Sequence, residues 1–231
     1  MALYVMSVGG SLIFPDEIDV EFLKKFKEFI LNRVEKGDRF ILIAGGGKIC
    51  RKYQQALKSV VKDISDEDND MMGINTTWMN AYLLKSVFGD LVNNEVIKNP
   101  TEQEVDFGEG SEEAVLVGGG WKPGCSTDFD AVLIAKRFHA DTIINLSNID
   151  YVYDKDPNKF DDAEIIKEID WSEFQKLVGD KWDPGLNAPF DPIASKECAK
   201  LGLRVAILNG KNLKNIGKFM DGEEFVGTRI G

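Results

Sequence analysis

The segment Ala114–Ala135, AVLVGGGWKPGCSTDFDAVLIA, constrains the fold more than any other. Its first four residues are strand formers. Three consecutive glycines, Gly118–Gly120, then break the strand, and Lys122, Pro123 and Gly124 make a loop. A helix restarts behind Ser126 or Thr127, both good caps. A strand feeding a glycine-rich loop at a helix N-terminus is a means of holding an anion on backbone amides and the helix dipole.

The motif is not alone. Leu3–Val8 is a short apolar run that stops at Gly9-Gly10-Ser11, and Arg39–Ala44 stops at Gly45-Gly46-Gly47-Lys48. Such uninterrupted runs fit strands buried on both faces of a parallel sheet. Between them Phe22, Leu23, Phe26, Phe29, Ile30 and Val34 recur at helical spacing, with Lys and Glu on the opposite face. This β-loop-α-β-loop-α order predicts parallel pairing through right-handed crossovers.

Further along, Asp63–Asp70 reads as an acidic linker and Met71–Phe88 as a long helix carrying Asn75, Thr76, Thr77 and Asn80. Val92–Lys98 reads as an edge strand, and Pro100–Gly110 as an exposed acidic stretch. Asp141–Leu146 is a buried strand with Ser147–Asp150 as its exit, and Tyr151–Tyr153 pairs briefly before a turn at Asp154–Pro157. Lys159–Gly185 is charged and aromatic, with a helix near Ser172–Val178. A helix runs from Pro192 to about Leu201, Leu203–Leu208 is a late strand, Leu213–Phe219 is a short helix, and Glu224–Ile230 holds a last strand. The fold class is α/β: a three-layer α/β/α sandwich with a mostly parallel central sheet, one domain over residues 1–231.

Composition narrows the function. The formal net charge is −11, which disfavours nucleic acid and anionic membrane as partners. Cys50, Cys125 and Cys198 are odd in number and far apart, so a reducing cytoplasm is expected and no disulfide framework. The N-terminus lacks a basic leader, and no apolar run approaches a membrane span. No metal-ligand cluster is legible.

In an open parallel sheet, ligands sit beyond the carboxyl ends of the strands. If the three strands are neighbours, the three glycine loops face one crevice and can surround several phosphates. No loop fits GxxxxGK[ST], and none gives GxGxxG in register, so a P-loop or Rossmann dinucleotide site is unsupported. Phosphoryl transfer by positioning and charge neutralisation remains, with Lys48, Arg51, Lys122 and Mg²⁺ as candidate cations. Asp128 reads either as a helix-capping acid or as an organiser of the transfer site, and Asp130 as solvated. His139, the only histidine, reads as structural.

Together, Gly9-Gly10-Ser11, Gly45-Gly46-Gly47-Lys48 with Arg51, GGGWKPGCSTD, NLSNIDYVYDKDP and FDPIASKECAKLGL resemble the amino-acid kinase superfamily, and its archaeal-type uridylate (UMP) kinase branch in particular. The resemblance spans nearly the whole chain. It implies a homo-oligomeric, usually hexameric enzyme built from dimers that uses ATP and Mg²⁺ to convert UMP to UDP, with residues to about 135 forming the acceptor lobe and the remainder the ATP lobe. It places ATP on Val8, Gly9, Gly10, Ser11, Gly47, Arg51, Ser147, Tyr153 and Asp156. It places UMP on Gly46, Asp70, Gly120, Trp121, Lys122, Pro123, Gly124, Cys125 and Ser126. Catalysis would then involve Asp128 and Gly10 with Lys48 and Lys122, because the first-strand lysine of many members is Ser7 here. Two rivals stay open. One is a superfamily kinase for a small carboxylate, carbamate or isoprenoid phosphate; the other is a nucleotide- or anion-binding member without turnover.

Overall fold

The computed structural model describes residues 2–92, 95–107, 113–179 and 188–231. The strands are β1 (Leu3–Val8), β2 (Arg39–Ala44), β3 (Val115–Gly118), β4 (Thr142–Ser147), β5 (Val152–Tyr153), β6 (Ile165–Ile166), β7 (Glu168–Ile169), β8 (Arg204–Asn209) and β9 (Thr228–Ile230). The helices are α1 (Gly10–Ile13), α2 (Val20–Val34), α3 (Gly47–Val60), α4 (Asp66–Phe88), α5 (Thr127–Arg137), α6 (Trp171–Val178), α7 (Pro192–Leu201) and α8 (Leu213–Met220).

Seven strands form one sheet in the order β3-β2-β1-β4-β8-β9-β7, and β5 pairs with β6 in a separate hairpin. All pairings in the main sheet are parallel except β8 with β9. The order makes the three glycine-ended strands adjacent, as the crevice requires. Alternation sorts the strand residues onto two faces. Met6, Leu42, Val117 and Ile144 meet Phe26 and Ile30 of α2, Leu84 of α4 and Ile216 of α8. Val5, Ile41, Leu116 and Ile143 meet Val132 and Ala135 of α5, Phe174 of α6 and Cys198 of α7. Both faces are therefore covered, which is why the central strands are mostly apolar, with Ser7 and Asn145 the buried polar exceptions on β1 and β4.

Several expectations need correction. Helix α4 begins at Asp66 behind the cap Ser65, whose hydroxyl accepts from Asp68 N. The acids of the expected linker thus form its first turn, where the helix dipole favours them. Val92–Lys98 is not a strand. Among its described residues only Ile97 bridges, to Gly118, because Gln103 accepts from Lys98 N and turns the chain away. Pro100–Gly110 is not simply exposed: Val105 and Phe107 are buried on α5's side of the sheet. Part of that stretch, and Lys159–Gly185 beyond residue 179, lie outside the described residues.

The lone histidine ends α5. Ala140 N donates to Ala135 O and His139 N to Lys136 O, a Schellman closure, and His139 takes φ 55. A side chain is disfavoured there, so His139→Gly is expected to raise stability by about 0.5–1 kcal/mol in urea unfolding.

Candidate active site at the carboxyl edge of the sheet

The loops after β1, β2, β3 and β4 converge on a cleft of about 330 Å³. Its wall includes Ser7, Gly9, Gly10 and Ser11 from the first loop, Gly45, Gly46, Gly47 and Arg51 from the second, and Gly120, Cys125, Ser126 and Asp128 from the third. Asn145 and Ser147 of β4 close one end, and Asp70, Gly73 and Thr77 of α4 close the other.

The centre of the floor is Asp128, in the first turn of α5. Ser7 Oγ donates to Asp128 Oδ1 (2.9 Å), Asn145 Nδ2 donates to the same oxygen (3.2 Å), and Asp191 N donates to Oδ2 (3.3 Å). The acid thus ties β1, β4 and the start of α7 together. Burial, then the neighbouring Asp191, raises its carboxyl to about 6. The helix itself is capped by Ser126, whose Oγ accepts from Phe129 N, so capping does not consume Asp128.

Helix α4 positions the glycine loops. Asn80 Nδ2 donates to Gly45 O (2.7 Å) and Gly46 O (3.3 Å). Thr77 Oγ1 accepts from Gly120 N (2.7 Å), Trp78 Nε1 donates to Gly120 O (2.7 Å), and Asp70 Oδ2 accepts from Gly124 N (2.8 Å). The sequence reading missed these positioning roles. The legible signal was a polar stripe, Gly73, Thr77 and Asn80, on one face of a buried helix.

Most of the expected site residues meet in the cleft: Gly9, Gly10, Ser11, Gly46, Gly47, Arg51, Asp70, Gly120, Cys125, Ser126, Asp128 and Ser147 all line it. Others do not. Val8 is fully buried, its side chain in the core, so only its backbone faces the loop. Tyr153 and Asp156 stand on the β5–β6 hairpin and its turn, outside the cleft wall. Trp121, Lys122, Pro123 and Gly124 are not part of the wall, Lys122 and Gly124 being exposed, and the Lys122 ammonium stacks 3.8 Å from the Trp121 ring centroid. Lys48 pairs with Asp16 at the exposed rim. Arg51 is the one cationic side chain among the described residues of the wall.

Asp130 is a clear correction. It is not solvated but 1% exposed, with Oδ2 accepting from Trp121 N (3.0 Å) and Oδ1 without a partner among the described residues. Burial, the largest cause, pushes its carboxyl up to about 8 despite the Trp121 amide. The folded state therefore holds this proton more tightly than the unfolded chain, and the stability it gives is lost as pH rises from about 4 through 8. Between pH 6 and 8 the wild type is expected to lose about 2 kcal/mol relative to Asp130→Asn in urea unfolding, at 1.36 kcal/mol per pH unit.

The sequence pattern of the amino acid kinase family matches residues 2–209. The chain belongs to that family. A uridylate kinase of Methanobrevibacter smithii is 33% identical over 227 residues, covering 98% of this chain and 97% of the relative. A uridylate kinase of Thermoplasma volcanium is 34% identical over 227 residues, covering 98% and 96%. The crystal structure of uridylate kinase from Archaeoglobus fulgidus superposes with a TM-score of 0.79 at 29% identity, over the full length of both chains. The UMP kinase of Bacillus anthracis, 16% identical, shares the fold with a TM-score of 0.71 over 100% of this chain and 95% of that one. The α/β/α fold of the amino acid kinases is thus this chain's fold. No helix among the described residues is long and apolar enough to cross a membrane.

Proposed function

We propose that the cleft transfers the γ-phosphoryl group of MgATP to UMP, giving ADP and UDP for pyrimidine nucleotide synthesis. The supporting observation is the placement of Asp128 between two sets of glycine loops. On the β1–β4 side, Gly9–Ser11 and Ser147 offer small residues and amides to the triphosphate. On the β2–β3 side, Gly46, Gly120, Cys125 and Ser126 face the acceptor, and Asp70 is placed to accept from ribose hydroxyls. The acceptor lobe, residues to about 135, and the ATP lobe that follows it meet where β1 pairs with β4, and Gly9–Ser11 reach the triphosphate across that seam.

The acceptor is a phosphate oxygen already anionic at neutral pH, so no strong general base is required. The barrier is lowered by alignment and by positive potential on the moving group. Arg51 and the N-terminus of α5 supply that potential, and Asp128 holds Ser7 and Asn145 in place. Among the described residues no group of three or more His, Cys, Asp and Glu is arranged to hold an ion. Mg²⁺ therefore enters on ATP as part of the substrate, held mainly by phosphate oxygens and water. Three free thiols suit a cytoplasmic enzyme. Exposed Tyr53 and Val60 on α3, with Met79 and Tyr82 on α4, suit burial in a homo-oligomer, a hexamer in the family's manner.

A coupled ADP-release assay tests the reading. Turnover with UMP should far exceed that with CMP, AMP or small carboxylates, and equal rates across these acceptors refute it. Ser7 motivates the alternative, because its hydroxyl occupies Asp128 where a lysine stands in many members. ATP binding by calorimetry with no transfer at high enzyme concentration would establish a binding protein instead.

A further inference from the structure

The loop Trp121–Cys125 hangs between two carboxyl groups. Asp70, on α4, holds its far end through Gly124 N, and Asp130, on α5, holds its near end through Trp121 N. The two attachments differ in kind. Asp70 lines the cleft. Asp130 is buried, with one oxygen on the Trp121 amide and the other without a partner among the described residues. A buried carboxyl with an unsatisfied oxygen costs stability where it stands. Asp128 and Asp191 lie close enough to raise its pKa further, so folding alone gains little from it. What it provides is register. Asp130 stands two residues from Asp128 in the first turn of one helix, so the Trp121 bond ties the loop's path directly to the acid at the centre of the floor. Thr77 and Trp78 fix the preceding Gly120 from the other side.

We propose that Asp130 is a positioning residue of the acceptor site: its bond to the Trp121 amide sets the Trp121–Cys125 loop in register with Asp128, and so sets acceptor affinity. The proposal rests on the reading of this loop as the acceptor side. It acts through the loop rather than by touching substrate, and it places the effect on one substrate only.

The test compares the full-length wild type with Asp130→Val, which keeps the volume and removes the acceptor, and Asp130→Asn, which keeps an oxygen for the amide. Asp130→Ala replaces the valine variant should the branched side chain not pack. Asp130→Val is expected to raise KM for UMP tenfold or more and to leave KM for MgATP within twofold. Asp130→Asn is expected to stay within threefold of wild type for both. Amide hydrogen exchange across Trp121–Cys125, measured without nucleotide, should accelerate in the valine variant and not in the asparagine variant. Equal rises in both KM values, an asparagine variant as impaired as valine, or unchanged exchange in the valine variant each overturn the proposal. Should the wild type not phosphorylate UMP, the acceptor reading fails by itself, and the exchange comparison decides whether Asp130 holds the loop.

Discussion

Arg51→Ala is expected to lower kcat/KM for UMP phosphorylation by about 10²–10³, the range seen when one preorganised electrostatic partner of a transition state is removed. Arg51 is the one cationic side chain among the described residues of the cleft wall, where two carboxylates, Asp70 and Asp128, and no lysine accompany it. The net charge of −11 adds an unfavourable field for phosphates. The positive potential therefore rests on few groups. Arg51 is exposed on α3 and has no ion-pair partner among the described residues, so its truncation should leave the urea midpoint unchanged. Arg51→Lys should recover only part of the loss, because a point charge does not reproduce the two-pronged guanidinium contact with phosphate. Lys122→Ala makes the contrast. Its ammonium rests on the Trp121 ring and the residue is not part of the cleft wall, and an effect within threefold on kcat is expected in the same assay. A Lys122 variant as impaired as the Arg51 variant would move the charge-bearing role to the loop.

The fold was legible wherever periodicity and punctuation agreed. β1, β2 and β4 are short, mainly apolar runs bounded by glycine or polar exits, and α2 and α7 carry both caps and periodic apolar faces. What escaped was set by partners distant in the chain. β6 and β7 are two-residue strands defined only by pairing with β5 and β9. Val92–Lys98 has a strand's composition, yet Gln103 captures its backbone.

The site divides in the same way. Residues that line the cleft through backbone and small side chains were readable, because glycine at a strand end is itself a signal. Residues that hold those loops were not. Asn80, Thr77 and Asp130 act across gaps of 35, 43 and 9 positions, and the polar stripe on α4 marks a face without naming the loops it holds. Lys48 and Lys122 follow glycines closely in the chain, but neither side chain is part of the cleft wall. Their ammonium groups end on Asp16 and Trp121 because both offer a local partner within reach.

The glycines themselves carry the second large effect. Glycine at such loops can serve positive φ and close approach to an anion. Gly47 does adopt φ 71, but Gly10 lies in a helical turn and needs no unusual dihedral. Its requirement is contact between the loops: a Cβ there would lie 2.0 Å from Gly47 N and 2.6 Å from Gly47 Cα. Those atoms are backbone, so no rotamer change relieves the overlap, and the first and second loops must separate. Gly10→Ala is expected to destabilise by about 3 kcal/mol, at the upper end of overpacking costs. It is also expected to abolish turnover, because the two loops meet beside Ser7 and Asp128. Gly73→Ala is the matched control for stability. Its Cβ would meet Gln54 Nε2 at 3.0 Å, the movable end of a long side chain. It also replaces glycine inside α4, which by itself favours the helix by up to about 1 kcal/mol. Urea midpoints therefore should fall sharply for Gly10→Ala and stay within about 1 kcal/mol of wild type for Gly73→Ala. Equal midpoints for the two variants would mean that the β1 and β2 loops do not touch, and that their glycines serve the bound anion alone.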